Sequence, residues 1–191
     1  QNQKLCYEFL KEKIVNREPI DIELVKEVHR LLTAGTYDER RYIENKERPG
    51  EFKKHDYVTG VHEVGSSAQD VERELAELIA ETGAYDGEDV LMAAAYFHAG
   101  FEYIHPFADG NGRVGRTLLN YYLMIRNHPP LIVHDEEKGK YYGALQKYDE
   151  TEDLAPLYGF LRDETEKTWA KTLSVFDGQK TERKGLSDFT C

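Results

Sequence analysis

Apolar residues recur at helical spacing along most of this chain. From Asp21 to Ala34, Ile22, Val25, Val28, Leu31 and Leu32 share one face, with Asp21 placed as a cap and Gly35 as a stop. Ser67-Ala-Gln-Asp70 has the spacing of a capping box with Asp in the acidic place, and the stripe Val71, Leu75, Leu78, Ile79 follows it. Asp86 to Ile104 predicts a third helix, whose Ala93-Ala94-Ala95 run suits close packing and which must end before Pro106. Arg113 to Arg126 carries Val114, Leu118, Leu119, Tyr122, Leu123 and Ile125 on more than one face, the pattern of a central helix. Lys138 to Asp149 and Leu154 to Phe176 read as further helices, the latter with a break expected near Asp163. Only Phe52 to Val64 looks extended, as two short runs around Gly60 that predict a small hairpin. The expected fold is mainly α, a single domain over residues 1–177 with an appended β-hairpin. Residues 178–191 are expected to form a polar, loose tail.

Composition narrows the function. In 191 residues, 40% are hydrophobic, enough for a core. The 25 basic and 36 acidic side chains leave a net charge of −11, which disfavours nucleic acid and anionic membrane as partners. No run of eighteen apolar residues is present, and Gln1 to Lys13 lacks a signal-peptide core. Cys6 and Cys191 form neither a disulfide framework nor a zinc spacing, so a cytoplasmic setting is the expectation. The absence of an initiator Met suggests a fragment of a longer protein.

One segment demands a chemical explanation: His105-Pro-Phe-Ala-Asp-Gly-Asn-Gly-Arg-Val-Gly-Arg116, between the two most buried-looking helices. Polar residues there are costly unless they satisfy one another or a ligand. Gly110 and Gly112 allow close approach to main-chain N–H groups, and the helix start beyond them is an anion site. Arg113 and Arg116, three apart, add two guanidinium forks. Asp109 beside a polyphosphate suits Mg²⁺, and His105 adds a base near neutral pH. Gly110-x-Gly112-x-x-Gly115 also matches the dinucleotide fingerprint, but no strand precedes it and no βαβ unit surrounds it. The remaining histidines, His29, His55, His62, His98, His128 and His134, lack metal spacing and read as structural or surface residues.

The segment resembles the signature of the Fic domain family, His-x-Phe-x-[Asp/Glu]-Gly-Asn-Gly-Arg-x-x-Arg, at every specified position. Gly50-Glu-Phe-Lys53 is similar to the stretch before that family's flap hairpin, with Lys53 in place of arginine. Lys140-Tyr-Tyr-Gly-Ala-Leu145 is similar to its nucleotide-pocket helix. The resemblance implies a mainly helical protein adenylyltransferase that moves AMP from ATP to a Tyr, Thr or Ser hydroxyl of a protein and releases pyrophosphate. Under it His105 takes the hydroxyl proton, Asp109 holds Mg²⁺, and Gly110, Asn111 and Gly112 form the anion hole. Arg113 and Arg116 bind the β- and γ-phosphates, and Phe107 plugs the core. Tyr142 and Asp149 line the nucleoside pocket, Asp149 standing where the family often has Asn. Tyr57, Val58, Thr59, Gly60 and Val61 form a flap that aligns the target through its main chain. The alternatives are a quiet nucleotide-binding module and the same chemistry with another donor, in UMP or phosphocholine transfer. Many relatives carry an inhibitory helix, [Ser/Thr]-x-x-x-Glu-[Gly/Asn]. Here Glu is followed by Asn or Gly only at Glu44-Asn45, with Arg40 four residues before. An inhibitory helix is therefore expected to have been removed upstream or to be supplied in trans, leaving Arg116 free and the chain self-modifying.

Overall fold

Asp21 opens its helix as a side-chain cap, its Oδ1 accepting the Leu24 N–H at 2.7 Å. The helices are α1 (Asn2–Val15), α2 (Ile22–Thr33), α3 (Val71–Gly83), α4 (Val90–Ile104), α5 (Asn111–Ile125), α6 (Lys138–Thr151) and α7 (Ala155–Gln179). This computed structural model describes the backbone of residues 1–59 and 63–179 and the side chains of residues 1–57 and 65–170. Two short strands, β1 (Val58–Thr59) and β2 (Glu63–Val64), pair antiparallel with Val58 opposite Val64 and Thr59 opposite Glu63. Gly60 and Val61, expected at the tip, lie outside the described residues, as do residues 180–191 of the expected tail.

Several helix ends differ from the sequence reading, each for a local reason. α4 starts at Val90 rather than Asp86, because Asp89 Oδ1 caps it by accepting the Met92 N–H at 2.9 Å. The expected capping box is absent: Ser67 Oγ donates to Asp70 Oδ2 at 2.6 Å, and no side chain caps α3. α7 runs unbroken through Asp163. Its neighbour Glu164 is fully buried on the face of Leu157 and Leu161, and its Oε2 accepts the His134 N–H at 3.0 Å. Glu164 is thus a tie to the loop before α6, and Asp163, paired with Arg162, marks no helix end.

α4 is the central element, packed against α3, α5, α6 and α7. One core cluster joins Val25 and Val28 of α2 and Leu75 of α3 with Phe97 and Phe101 of α4 and Val114 and Leu118 of α5. A second joins Ala94, Ala95 and Ala99 of α4 to Leu119, Leu123, Tyr141, Leu157 and Leu161. Each fully buried Leu, Val or Phe contributes about 1.5–3 kcal/mol, so the α4–α5 pair is a stiff frame for the loop between its helices. Among the described residues no helix is long and apolar enough to cross a membrane.

Candidate active site

The loop between α4 and α5 is built by three devices. His105 ends α4 in the left-handed conformation (φ 51°), its N–H bonded to the Phe101 carbonyl at 3.0 Å, with Pro106 barring a further helical residue. Phe107 then drops into the core, fully buried and stacked parallel on His29 with ring centroids 3.7 Å apart. Gly110 (φ 84°) turns the chain into α5; a Cβ there would also meet Thr33 Cγ2 at 2.6 Å, so both torsion and space require glycine.

Asn111 acts differently from expectation. Its side chain is buried and spent on Phe107: Oδ1 accepts the Phe107 N–H at 2.9 Å, and Nδ2 donates to the Phe107 carbonyl at 2.7 Å. The amide therefore shapes the loop, and what Asn111 offers an anion is its main-chain N–H. The first bonds of α5 are made by Arg113 and Val114 N–H on the Gly110 carbonyl, so the Asn111 and Gly112 N–H groups precede the internal ladder. A guanidinium stands to each side. Arg113 Nη1 donates to the Leu32 carbonyl at 3.2 Å, with Nη2 beside Gly110. Arg116 folds back over Gly112, where a Cβ would lie 3.1 Å from Nη1, with its guanidinium carbon 6.0 Å from the centre of the Tyr141 ring. Arg30, Arg41, Arg73 and Arg162 form ion pairs; among the described residues Arg113 and Arg116 form none within 4 Å.

His105 is set up to accept a proton. Burial and the nearby Lys53 ammonium push its pKa down to about 4, against the Glu102 carbonyl that hydrogen-bonds the ring and the Asp109 charge. The imidazole is neutral at pH 7. Asp109 Oδ1 accepts the Gly110 N–H at 2.8 Å. Among the described residues no three His, Cys, Asp or Glu gather as metal ligands. One carboxylate suits Mg²⁺, which takes most of its ligands from phosphate and water, so Asp109 fits a cation whose other ligands come from outside the protein.

The segment carrying β1 and β2 is pinned at both ends to the His105 turn. Lys53 N–H bonds the Pro106 carbonyl at 2.9 Å and Ser66 N–H bonds the Ile104 carbonyl at 3.2 Å. A Cβ on Gly65 would lie 2.7 Å from His105 Cβ and 3.0 Å from the Ile104 carbonyl, so only glycine fits. Tyr57, expected to face a target, instead points inward: its hydroxyl donates to buried Glu47 Oε1 at 2.8 Å. On α6, Tyr142 and Asp149 are two turns apart on one face, Tyr142 exposed and Asp149 half-buried.

Sequence reasoning missed Glu102, the one acidic residue of α4, beside Arg116 and Asp149. Burial and Asp149 push its carboxyl up to about 7 against the pull of Arg116, and Oε1 is buried without a hydrogen-bond partner. Its isolation in an apolar helix was the available signal. Tyr37 was missed as well, while His29, read as a structural or surface residue, takes a structural place. His29 is fully buried, joined to Gly50 and Asp109, and burial holds its pKa down at about 4.

Fold and site together define the class of helical domains that hold a histidine-tipped, glycine-rich loop between two core helices. Residues 19–123 match the model of the Fic/DOC family, and the chain belongs to that family. It is similar to the protein adenylyltransferase Fic of Drosophila persimilis, 45% identical over 75 residues, and to that of Aedes aegypti, 44% identical over 75 residues. Those matches cover 39% of this chain and 15% of each relative. A Fic domain containing signaling protein from Bacteroides thetaiotaomicron shares the fold at TM-score 0.75 and 22% identity, over 96% of this chain and 74% of that one. A Fic family protein from Desulfovibrio desulfuricans aligns at TM-score 0.69 and 26% identity, over 91% of this chain and 52% of that one.

Proposed function

We propose that this chain is a protein adenylyltransferase, joining AMP from ATP to a hydroxyl of a protein and of itself. The observation that carries the reading is a neutral His105 at the start of the loop that leads into the α5 N-terminus, with Arg116 folded over that helix start. The target oxygen attacks the α-phosphorus, the bond from that phosphorus to the bridging oxygen breaks, and pyrophosphate leaves. His105 takes the hydroxyl proton. The Asn111 and Gly112 N–H groups, the helix dipole and the two guanidiniums neutralise the phosphates, the electrostatic work such chemistry needs. Asp109 would hold Mg²⁺, which supplies charge neutralisation when bound.

Arg116, which forms no ion pair within 4 Å among the described residues, supports an arginine left free to bind the γ-phosphate. β1 and β2, anchored to the His105 turn, support a flap that aligns a target segment by main-chain bonds, with Val58 and Thr59 on the pairing strand. Tyr142 and Asp149 form the nucleoside side. The test is incubation with ATP, UTP or CDP-choline and Mg²⁺, followed by mass spectrometry. ATP is expected to give the dominant adduct; dominance of UMP or phosphocholine would reassign the donor, and nucleotide binding without any adduct would favour a quiet module.

A further inference from the structure

We propose that His29 and Tyr37 clamp the main chain of Asp109 and thereby aim its carboxylate at the divalent cation carried by the donor's phosphates. The proposal rests on the adenylyltransferase reading above. Asp109 precedes a glycine in the left-handed region, so local torsions do not by themselves fix where its side chain points. Three bonds supply what the loop lacks. His29 Nδ1 accepts the Gly50 N–H at 2.8 Å, which places the ring proton on Nε2. Nε2 then donates to the Asp109 carbonyl at 3.0 Å. The Tyr37 phenol oxygen lies 3.3 Å from the same Nε2 and beside the Asp109 main chain. Finally, Gly110 N–H holds Asp109 Oδ1, leaving Oδ2 as the oxygen for a cation.

The clamp is rigid because the ring is fully buried and stacked on Phe107. Both clamping residues come from α2 or the turn after it, so the direction of the carboxylate is set from outside the loop that bears it. His29 and Tyr37 are positioning residues: they act on the cation only through Asp109.

The experiment measures ATP affinity calorimetrically, with and without Mg²⁺, for the parent, Tyr37→Phe, His29→Leu and His29→Gln. The parent should bind ATP more tightly with Mg²⁺. Tyr37→Phe, which removes one oxygen from a half-buried ring, should keep the Mg²⁺-free affinity within about twofold. Its Mg²⁺ enhancement should fall about fivefold or more. His29→Leu should do the same, and His29→Gln, which returns an N–H near the position of Nε2, should recover part of the enhancement. Full enhancement in Tyr37→Phe, or equal weakening with and without Mg²⁺, would overturn the clamp while leaving the adenylyltransferase reading intact. A parent with no Mg²⁺ enhancement would overturn the cation at Asp109, and the clamp with it.

Discussion

Replacing Asn111 by alanine separates a loop-building residue from an anion ligand. The side chain is 2% exposed, and both of its bonds go to the Phe107 main chain, at 2.9 and 2.7 Å. Alanine leaves a buried N–H and a buried carbonyl unpaired, each at about 1–3 kcal/mol. With some relief from entering water, the expected loss of stability is about 2–4 kcal/mol. For a chain of this size that is a fall in Tm of roughly 4–16 °C. An exposed residue that merely touched the nucleotide would change stability by only about 0.5 kcal/mol. The assay is urea unfolding followed by circular dichroism, with nucleotide affinity measured on the same samples. Asn111→Ala should lose both stability and affinity, because the loop that presents the α5 N-terminus loosens. A variant as stable as the parent but poor at binding nucleotide would refute this reasoning and return Asn111 to the anion hole.

Three other outcomes follow. His29 and His105, held down at about 4, and His98, at about 3, stay neutral when folded. Their stability contribution is full above pH 6.5 and is lost as pH falls toward 4. Glu102, raised to about 7, works the other way between pH 4.5 and 7, but three groups outweigh one; urea unfolding at pH 6.5 and 4.5 should show a drop on the order of a few kcal/mol, and a rise would contradict the burial of these rings. A methyl at Gly115 would overlap Glu102 Oε1 and lie 3.1 Å from Phe101 Cδ1, so Gly115→Ala should destabilise by about 1–3 kcal/mol despite its better helix propensity. That cost should shrink in a Glu102→Ala background; an equal cost in both would remove Glu102 from the contact. Val58→Pro, which breaks the pairing with Val64, should lower modification of a protein target more than nucleotide affinity, and equal loss of both would speak against a docking role.

The helical frame was legible because burial imposes a period that survives in the sequence: Val25 and Val28, Leu75 and Leu78, Leu118 and Leu119 are all buried as their spacing predicts. Ends were less legible, since they turn on single side-chain bonds such as Asp89 to Met92 N–H or Ser67 to Asp70. The site loop stood out because twelve consecutive residues carried its chemistry. Its supports did not, because they come from far along the chain: His29 lies 80 residues from the carbonyl it holds, and Glu102 meets Asp149 only once α4 and α6 pack. Spacing cannot reveal a partner that tertiary packing alone brings near. Asn111 and Tyr57 show the converse, residues in the expected places whose polar atoms turn inward.

The central claim is that His105 removes the proton from an attacking hydroxyl as AMP is transferred, a step that contributes about 10²–10⁴ in rate. It is tested most directly by intact-mass measurement of the parent and His105→Ala after incubation with ATP and Mg²⁺. The parent should gain the mass of one AMP, while the alanine variant binds ATP equally well and gains nothing on the same timescale. An unmodified parent, or an alanine variant that gains AMP at the parent's rate, would contradict the account.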